Sequence, residues 1–269
     1  MTTLQTHHTA PLQVRAAGVR AGYGAETILD GIDLTVPAGV VSAIVGPNGC
    51  GKSTLLKTIA RVMRPTEGRV LLDETSVHHQ PTRQVAKHLG LLPQSNAVPE
   101  QLTVRALVER GRYPHRGVFS PWSEADRDAV AEALDVTGTA GLADRHVDEL
   151  SGGQRQRAWI AMVLAQQTPV LLLDEPTTYL DLAHRLEILR LLRRLNRERG
   201  VTVVMVLHDL NEACRYADHV IAMRDGAVHA SGRPRDVVTP ELVRDVFGVA
   251  CLTVADPVSG TPIVVPCDD

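Results

Sequence analysis

The stretch from Val40 to Val62 restricts the fold more than any other part of the chain. Residues 40–45, VVSAIV, are almost continuously apolar, as a strand buried on both faces must be. GPNGCGKS follows at once over residues 46–53, and Ser53 to Val62 carries a helical pattern. Strand, glycine-rich turn and helix in that order form the P-loop arrangement of Gly, four residues, Gly, Lys and Ser/Thr. The residue types follow from the chemistry. Gly46, Gly49 and Gly51 let the backbone bend so that successive amides point inward, and the helix start adds its positive end. Pro47, Asn48, Cys50 and Thr54 complete the wall of this phosphate cradle. Lys52 supplies a point charge to terminal phosphates, and the Ser53 hydroxyl ligates Mg²⁺. Lysine occurs only at Lys52, Lys57 and Lys87, so one inside the loop stands out.

A second chemical signal lies at the end of PVLLLDE, residues 169–175. Two carboxylates at the C-terminal end of a buried parallel strand sit where open α/β sheets bind ligands. Asp174 would hold the metal, and Glu175 would orient or deprotonate an attacking water. The plainer alternative is an N-cap pair for the next helix.

Around these motifs, strands alternate with helices, which predicts a mostly parallel sheet covered on both faces. VTVVMVL, residues 201–207, reads as a third buried strand. Helices are expected over 154–167, over 182–199 with leucines at 182, 186, 189, 192 and 195, and over 210–216. A hairpin is expected over 219–230 around Arg224-Asp225-Gly226. Residues 12–45 are strand-like, with turns placed at Ala21-Gly22, Asp30-Gly31 and Pro37-Ala38-Gly39. Residues 66–94 read as short strands punctuated by Gly68 and Gly90. Over 99–150 the pattern turns helical, with Thr103 ahead of Leu102–Arg110 helix residues, and Ser123 capping a helix to Val136 with Asp126 three residues on. Two short helices after Gly232 and a hairpin over 251–269 end the chain.

Composition narrows the function classes. A net charge of −3 and 3% aromatics argue against a nucleic-acid binder. Cys50, Cys214, Cys251 and Cys267 are scattered without a CxxC, which suits a reducing compartment. No apolar run reaches membrane-span length, and the N-terminus lacks the order of a signal peptide. A cytoplasmic location is expected, with any membrane role exerted through a partner. His7 and His8 are expected to lie in a polar tail.

LSGGQ at Leu150–Gln154, preceded by the P-loop and followed by LLLDEP, resembles the nucleotide-binding subunit of ABC transporters over about residues 12–250. The resemblance implies a P-loop NTPase (RecA-like) α/β core with an antiparallel β subdomain and an inserted α-helical subdomain. It divides the single domain 1–269 into an ATP-binding core with β subdomain (about 12–98 and 158–250), a helical subdomain (about 99–157) and a tail (251–269). It implies ATP and Mg²⁺ as ligands. Tyr23 would stack on adenine, and Gln94 would touch Mg²⁺ and report to the membrane partner. Ser151, Gly152, Gly153 and Gln154 would cap the nucleotide of the opposite subunit, Asp181 would lie at the dimer seam, and His208 would face the γ-phosphate beside the catalytic Glu175 and Lys52.

The same resemblance implies a head-to-tail homodimer on the cytoplasmic face of the membrane, an integral permease, and indirectly an extracytoplasmic substrate-binding protein. GRYPHRG at 111–117 and DEPTTYLDLAH at 174–184 resemble the ATPases of ferric-siderophore importers, a pattern that haem and cobalamin importers share. Where many of those importers have His-Gln after the D-loop, this chain has His184-Arg185. Soluble ABC ATPases usually carry coiled-coil insertions or tandem cassettes. A P-loop kinase or GTPase is disfavoured by LSGGQ and His208. Two further expectations concern single residues. Cys50, beside Lys52 and a helix N-terminus, is expected to have a lowered pKa and to react with thiol reagents until ATP shields it. The segment from Gln94 through about 99–123 is expected to dock the permease, with Arg116 and Phe119 in the contact.

Overall fold

The computed structural model describes residues 11–94, 101–117 and 120–267. The expectations for His7, His8 and Phe119 fall outside the described residues. A six-stranded sheet forms the centre. Its order is Ala227–Gly232, His219–Arg224, Val41–Val45, Thr202–Val206, Val170–Leu173 and Leu89–Leu92. The last five run parallel, and only the edge strand Ala227–Gly232 is antiparallel. The P-loop strand therefore sits inside the sheet, flanked by the strands that lead to His208 and to Arg224.

Strand alternation sorts the apolar residues into two cores. Val41, Ala43, Val45, Leu171, Leu173, Val203 and Met205 face one side, while Ile44, Val170, Leu172, Val204 and Val206 face the other. The first side is covered by helices Gly152–Ala165 and Leu182–Arg199, the second by helix Lys52–Ile59 through Leu55, Leu56 and Ile59. A four-stranded antiparallel sheet, ordered Glu26–Val36, Val14–Tyr23, Glu67–Leu72 and Thr75–Ser76, adds its inner residues to the second core.

Two expected turns in this sheet are strand interior instead. The chain reverses at Gly24-Ala25, with Tyr23 paired to Glu26, and not at Ala21-Gly22. A Cβ on Gly22 would lie 1.8 Å from the Glu26 carbonyl oxygen, so glycine here permits strand contact and not reversal. Ile32 opposes Val19 and Leu29 opposes Ala21, so Asp30 and Gly31 together face Arg20 as a bulge. Gly31 supplies the left-handed φ of 69° that this bulge needs.

Helices Val104–Glu109 and Glu124–Val136 stand against Gly152–Ala165. Thr103 caps the first, and Ser123 with Asp126 forms a capping box on the second. Arg112, between the two helices, is buried and lies 2.9 Å from the equally buried Asp126. Its guanidinium also donates to the Ala165 carbonyl at 2.8 Å and the Gln167 side chain at 3.0 Å. One cation thus ties three helical segments together. The Asp126 carboxylate loses solvation on burial, yet its bonds from Ser123 and Arg112 outweigh that and hold its pKa below the ordinary range.

Helix Gly152–Ala165 begins two residues before its expected start, because Ser151 and Gln154 cap each other reciprocally. After short helices Pro234–Val237 and Pro240–Phe247, the hairpin Cys251–Ala255 with Pro262–Pro266 packs on helix Leu210–Tyr216. The Asn211 side chain bonds both the N–H and the C=O of Val264 there. Among the described residues no helix is long and apolar enough to cross a membrane.

Candidate active site

The glycine-rich loop leaves the C-terminal end of Val41–Val45 and turns under two neighbours. Gly46 has φ 151°, and a Cβ there would lie 2.2 Å from the Met223 carbonyl oxygen. Gly51, at φ 100°, forms the N-cap of helix Lys52–Ile59 and offers no side-chain cap. The first amides of that helix are therefore left to an outside acceptor.

Lys52 is only 5% exposed, and its Nζ donates to the carbonyls of Gly46 at 2.9 Å and Pro47 at 2.8 Å. The ammonium is thus held against the loop that it serves. Ser53 Oγ donates to Asp174 Oδ1 at 2.8 Å, joining residues 121 positions apart. Asp174 Oδ2 is buried and has no partner. Burial first, then the charge of Glu175, push the Asp174 pKa up against the Ser53 bond.

Glu175 is held in the left-handed region at φ 54°. Its Oε1 lies 2.8 Å from His208 Nε2, and Thr178 Oγ1 donates to its Oε2 at 3.0 Å. Burial opposes ionisation here. The bonds from His208 and Thr178, the His208 charge and a bond from Gln94 outweigh it and hold the Glu175 carboxyl below the usual glutamate value. Two adjacent carboxylates are thereby pushed in opposite directions. His208 follows strand Thr202–Val206, and Asp209 caps the next helix by accepting from Asn211 and Glu212 N–H groups.

Lys52, Ser53, Gln94, Asp174, Glu175 and His208 thus converge at the C-terminal ends of four neighbouring parallel strands. The donor set fits a hard cation. Ser53 offers a hydroxyl, Asp174 a buried oxygen without partner, and Gln94 an amide oxygen. No group of three or more His, Cys, Asp or Glu is assembled as a metal cage among the described residues. Tyr23 stands apart at the hairpin end of the antiparallel sheet, half exposed.

The expectation for Cys50 is overturned. Its side chain is only 5% exposed and belongs to the second core, with Sγ 2.8 Å from where a Gly46 Cβ would stand. Burial pushes the thiol pKa up, and the opposing pull of Lys52 is too weak to reverse it.

Ser151, Gly152, Gly153 and Gln154 make no contact with this chain's own cradle among the described bonds. Ser151 N–H donates to Gln154 Oε1 at 3.2 Å, and Gln154 N–H donates to Ser151 Oγ at 3.4 Å. A Cβ on Gly153 would lie 2.5 Å from His184 Cδ2, so the helix start rests on that ring. His184 in turn donates its backbone N–H to Asp181 Oδ1 at 2.9 Å, with Nδ1 at 2.8 Å from the same oxygen. His184 joins LSGGQ to Asp181, a role that sequence reasoning missed although Asp-x-x-His at a helix start could have signalled it. Thr178 was missed too. Beside it, Tyr179 is 98% exposed at φ 63°, next to the exposed Leu182.

Residues 29–178 match the ABC transporter family model. The chain is 51% identical over 254 residues to the ferric enterobactin transport ATP-binding protein FepC of Escherichia coli (strain K12), covering 94% of both chains. It superposes with TM-score 0.82 and 28% identity on a chain described as an inward-facing metal-chelate type ABC transporter, covering 96% of this chain and 98% of that one. A dimeric ATP-binding cassette, MJ0796, with ADP and phosphate bound gives TM-score 0.71 and 32% identity, covering 82% and 98%.

Proposed function

The chain belongs to the ABC transporter family, and from that membership we propose that it is the ATP-hydrolysing motor of an iron(III)-siderophore importer. The observation that carries the catalytic part is the linked set Ser53–Asp174 and Glu175–His208 beside an uncapped helix start. Mg²⁺, when bound here, would supply positive charge that offsets the charge of the phosphates. Ser53, Asp174 and Gln94 are the residues that would hold it. Lys52, already desolvated, needs only to exchange two carbonyls for phosphate oxygens. Glu175, kept ionised, accepts the proton of the attacking water. His208 fixes the carboxylate through Oε1 and would meet the γ-phosphate of bound ATP.

LSGGQ supports a two-chain reading. It opens a helix, exposes Ser151 and Gly152, and is tied through His184 to Asp181, which is also exposed. Within one chain it meets no cradle, so a head-to-tail second copy is the natural recipient. Closure around two ATP molecules would then move the segment after Gln94, and with it a permease on the cytoplasmic face of the membrane, fed by an extracytoplasmic binding protein. In the docking segment, the Arg116 guanidinium lies 4.3 Å from the Trp122 ring centre and donates to the Ser120 carbonyl. The exposed Tyr113 is therefore a cleaner probe of docking than Arg116. The high identity to a ferric enterobactin relative supports the substrate class. Uptake of radiolabelled ferric siderophore, haem and cobalamin by cells carrying this chain with its permease tests it. Siderophore uptake lost in Glu175→Gln cells is the expected result, and uptake of cobalamin or haem alone would refute it.

A further inference from the structure

Val41–Val45 and His219–Arg224 run side by side from the end of the sheet opposite the P-loop. At that far end, about 15 Å of strand away from the cradle, Val40 and His219 line a cavity of about 630 Å³. Four arginines from three segments converge on it. Arg193 and Arg215 come from helices Leu182–Arg199 and Leu210–Tyr216, and Arg233 and Arg235 from the turn into helix Pro234–Val237. Ser259 and Thr261 of the C-terminal hairpin turn close the other wall with hydroxyls. We propose that this cavity is a second anion site, separate from the ATP cradle, that holds a multiply charged phosphate-bearing small molecule.

The charge balance carries the argument. Two carboxylates are near, and both are engaged in holding backbone. Asp218 accepts from the Val41 N–H at 3.2 Å and pairs with Arg193 at 3.0 Å. Asp256 accepts from the Val258 N–H and the Ser259 hydroxyl, both at 2.8 Å, and the Oδ2 that takes the Ser259 bond lies 3.7 Å from Arg215. Arg233 and Arg235 have no carboxylate within ion-pair distance and no side-chain hydrogen bond among the described residues. His219 Nδ1 is buried without a partner. A chain of net charge −3 therefore gathers four guanidiniums against two engaged carboxylates at this concavity, away from its catalytic centre, and leaves Arg233 and Arg235 without an acidic partner among the described residues.

Guanidinium forks match phosphate oxygens bidentately, which favours phosphate over carboxylate or halide. The volume suits a ligand larger than one phosphate and falls within the usual range of small-molecule sites. Of the residues that the cavity touches, Val40 precedes strand Val41–Val45, which runs into the P-loop, and His219 begins strand His219–Arg224, whose Met223 carbonyl packs on Gly46. An occupant would thus brace the base of the cradle's own scaffold.

Inorganic tripolyphosphate titrated calorimetrically into the full-length Lys52→Ala protein at low salt tests the proposal, since that variant weakens the competing cradle. One site per chain is expected. It should weaken about tenfold or more in Lys52→Ala carrying Arg233→Gln and Arg235→Gln, and weaken similarly as salt is raised. The two arginine changes alone should leave ATP hydrolysis and the melting temperature as they are. Should the pair lower the melting temperature, Arg235→Gln alone, at the exposed rim, gives the same comparison. Absence of binding in Lys52→Ala, or equal affinity with and without Arg233 and Arg235, would overturn the site. Sedimentation with phosphatidylglycerol vesicles in place of tripolyphosphate binding would also overturn it, by assigning the arginines to a membrane surface.

Discussion

Two helix starts in this molecule carry glycine-rich loops, and they are built in opposite ways. The start at Lys52 has a left-handed glycine as its cap, no side-chain acceptor and a buried lysine pressed against its own loop. The start at Gly152 is closed by a reciprocal Ser151–Gln154 box and lies exposed on His184. The first is a desolvated, preorganised loop whose first helical amides have no side-chain cap among the described residues. The second satisfies itself with bonds of 3.2 and 3.4 Å, long enough to be exchanged cheaply for a ligand brought by another copy. The proposed division of labour between a cis cradle and a trans cap would rest on this difference in capping and burial.

The largest expected effect falls on the cradle alone. Glu175→Gln keeps shape and the His208 contact but loses the base, so hydrolysis should drop about 10²–10⁴-fold. ATP affinity should persist, and light scattering with ATP should show twice the 29.1 kDa monomer mass. A monomer with normal turnover would break both halves of the comparison.

Arg112→Ala strikes the support of the cap and leaves the cradle whole. Removing a buried cation from Asp126 should cost about 3–5 kcal/mol by denaturant unfolding. At temperatures where the variant stays folded, nucleotide binding by the monomer should survive better than ATP-driven dimerisation. Equal loss of both would show that the two regions are one cooperative unit.

Smaller effects sharpen the contrast. Ser151→Ala removes a helix cap worth about 0.5–2 kcal/mol, and should slow dimer-dependent hydrolysis while single-chain nucleotide affinity is unchanged. Asp174→Asn should inactivate the enzyme yet stabilise the free protein by about 1 kcal/mol, because it removes a buried charge with one unpartnered oxygen. The sign with pH follows from the raised Asp174 pKa. Its ionised form penalises folding above that value, and the penalty fades as pH falls through it, so the stability gap between variant and wild type should close on acidification. The smallest effect is at Cys50. Thiol reagents should label it slowly in the free protein, and mass spectrometry showing fast labelling would contradict its burial.

What the residues alone determined is the chemistry carried by local pattern. Glycines spaced around Lys52, an apolar run ending in Asp174-Glu175, and LSGGQ opening a helix each have few conformations available, so the parallel strands, the cradle and the ATPase family could be read directly. Capping followed the same logic at Ser123 and Thr103, because partner and cap are three residues apart. What only the tertiary structure decided depends on groups far apart in sequence. Asp30-Gly31 is a bulge and not a turn because its register is set by Arg20 on another strand. The Cys50 thiol pKa is raised and not lowered because the second core closes over it and desolvation outweighs the nearby lysine. Asp174 and Glu175 differ in protonation preference because one is buried beside the Glu175 charge with a single bond from Ser53, while the other meets His208, Thr178 and Gln94. The Arg112–Asp126 tie and the four-arginine cavity likewise join segments with no shared periodicity. Periodicity reports which face of an element is apolar; burial, register and electrostatic neighbours exist only once the elements are packed.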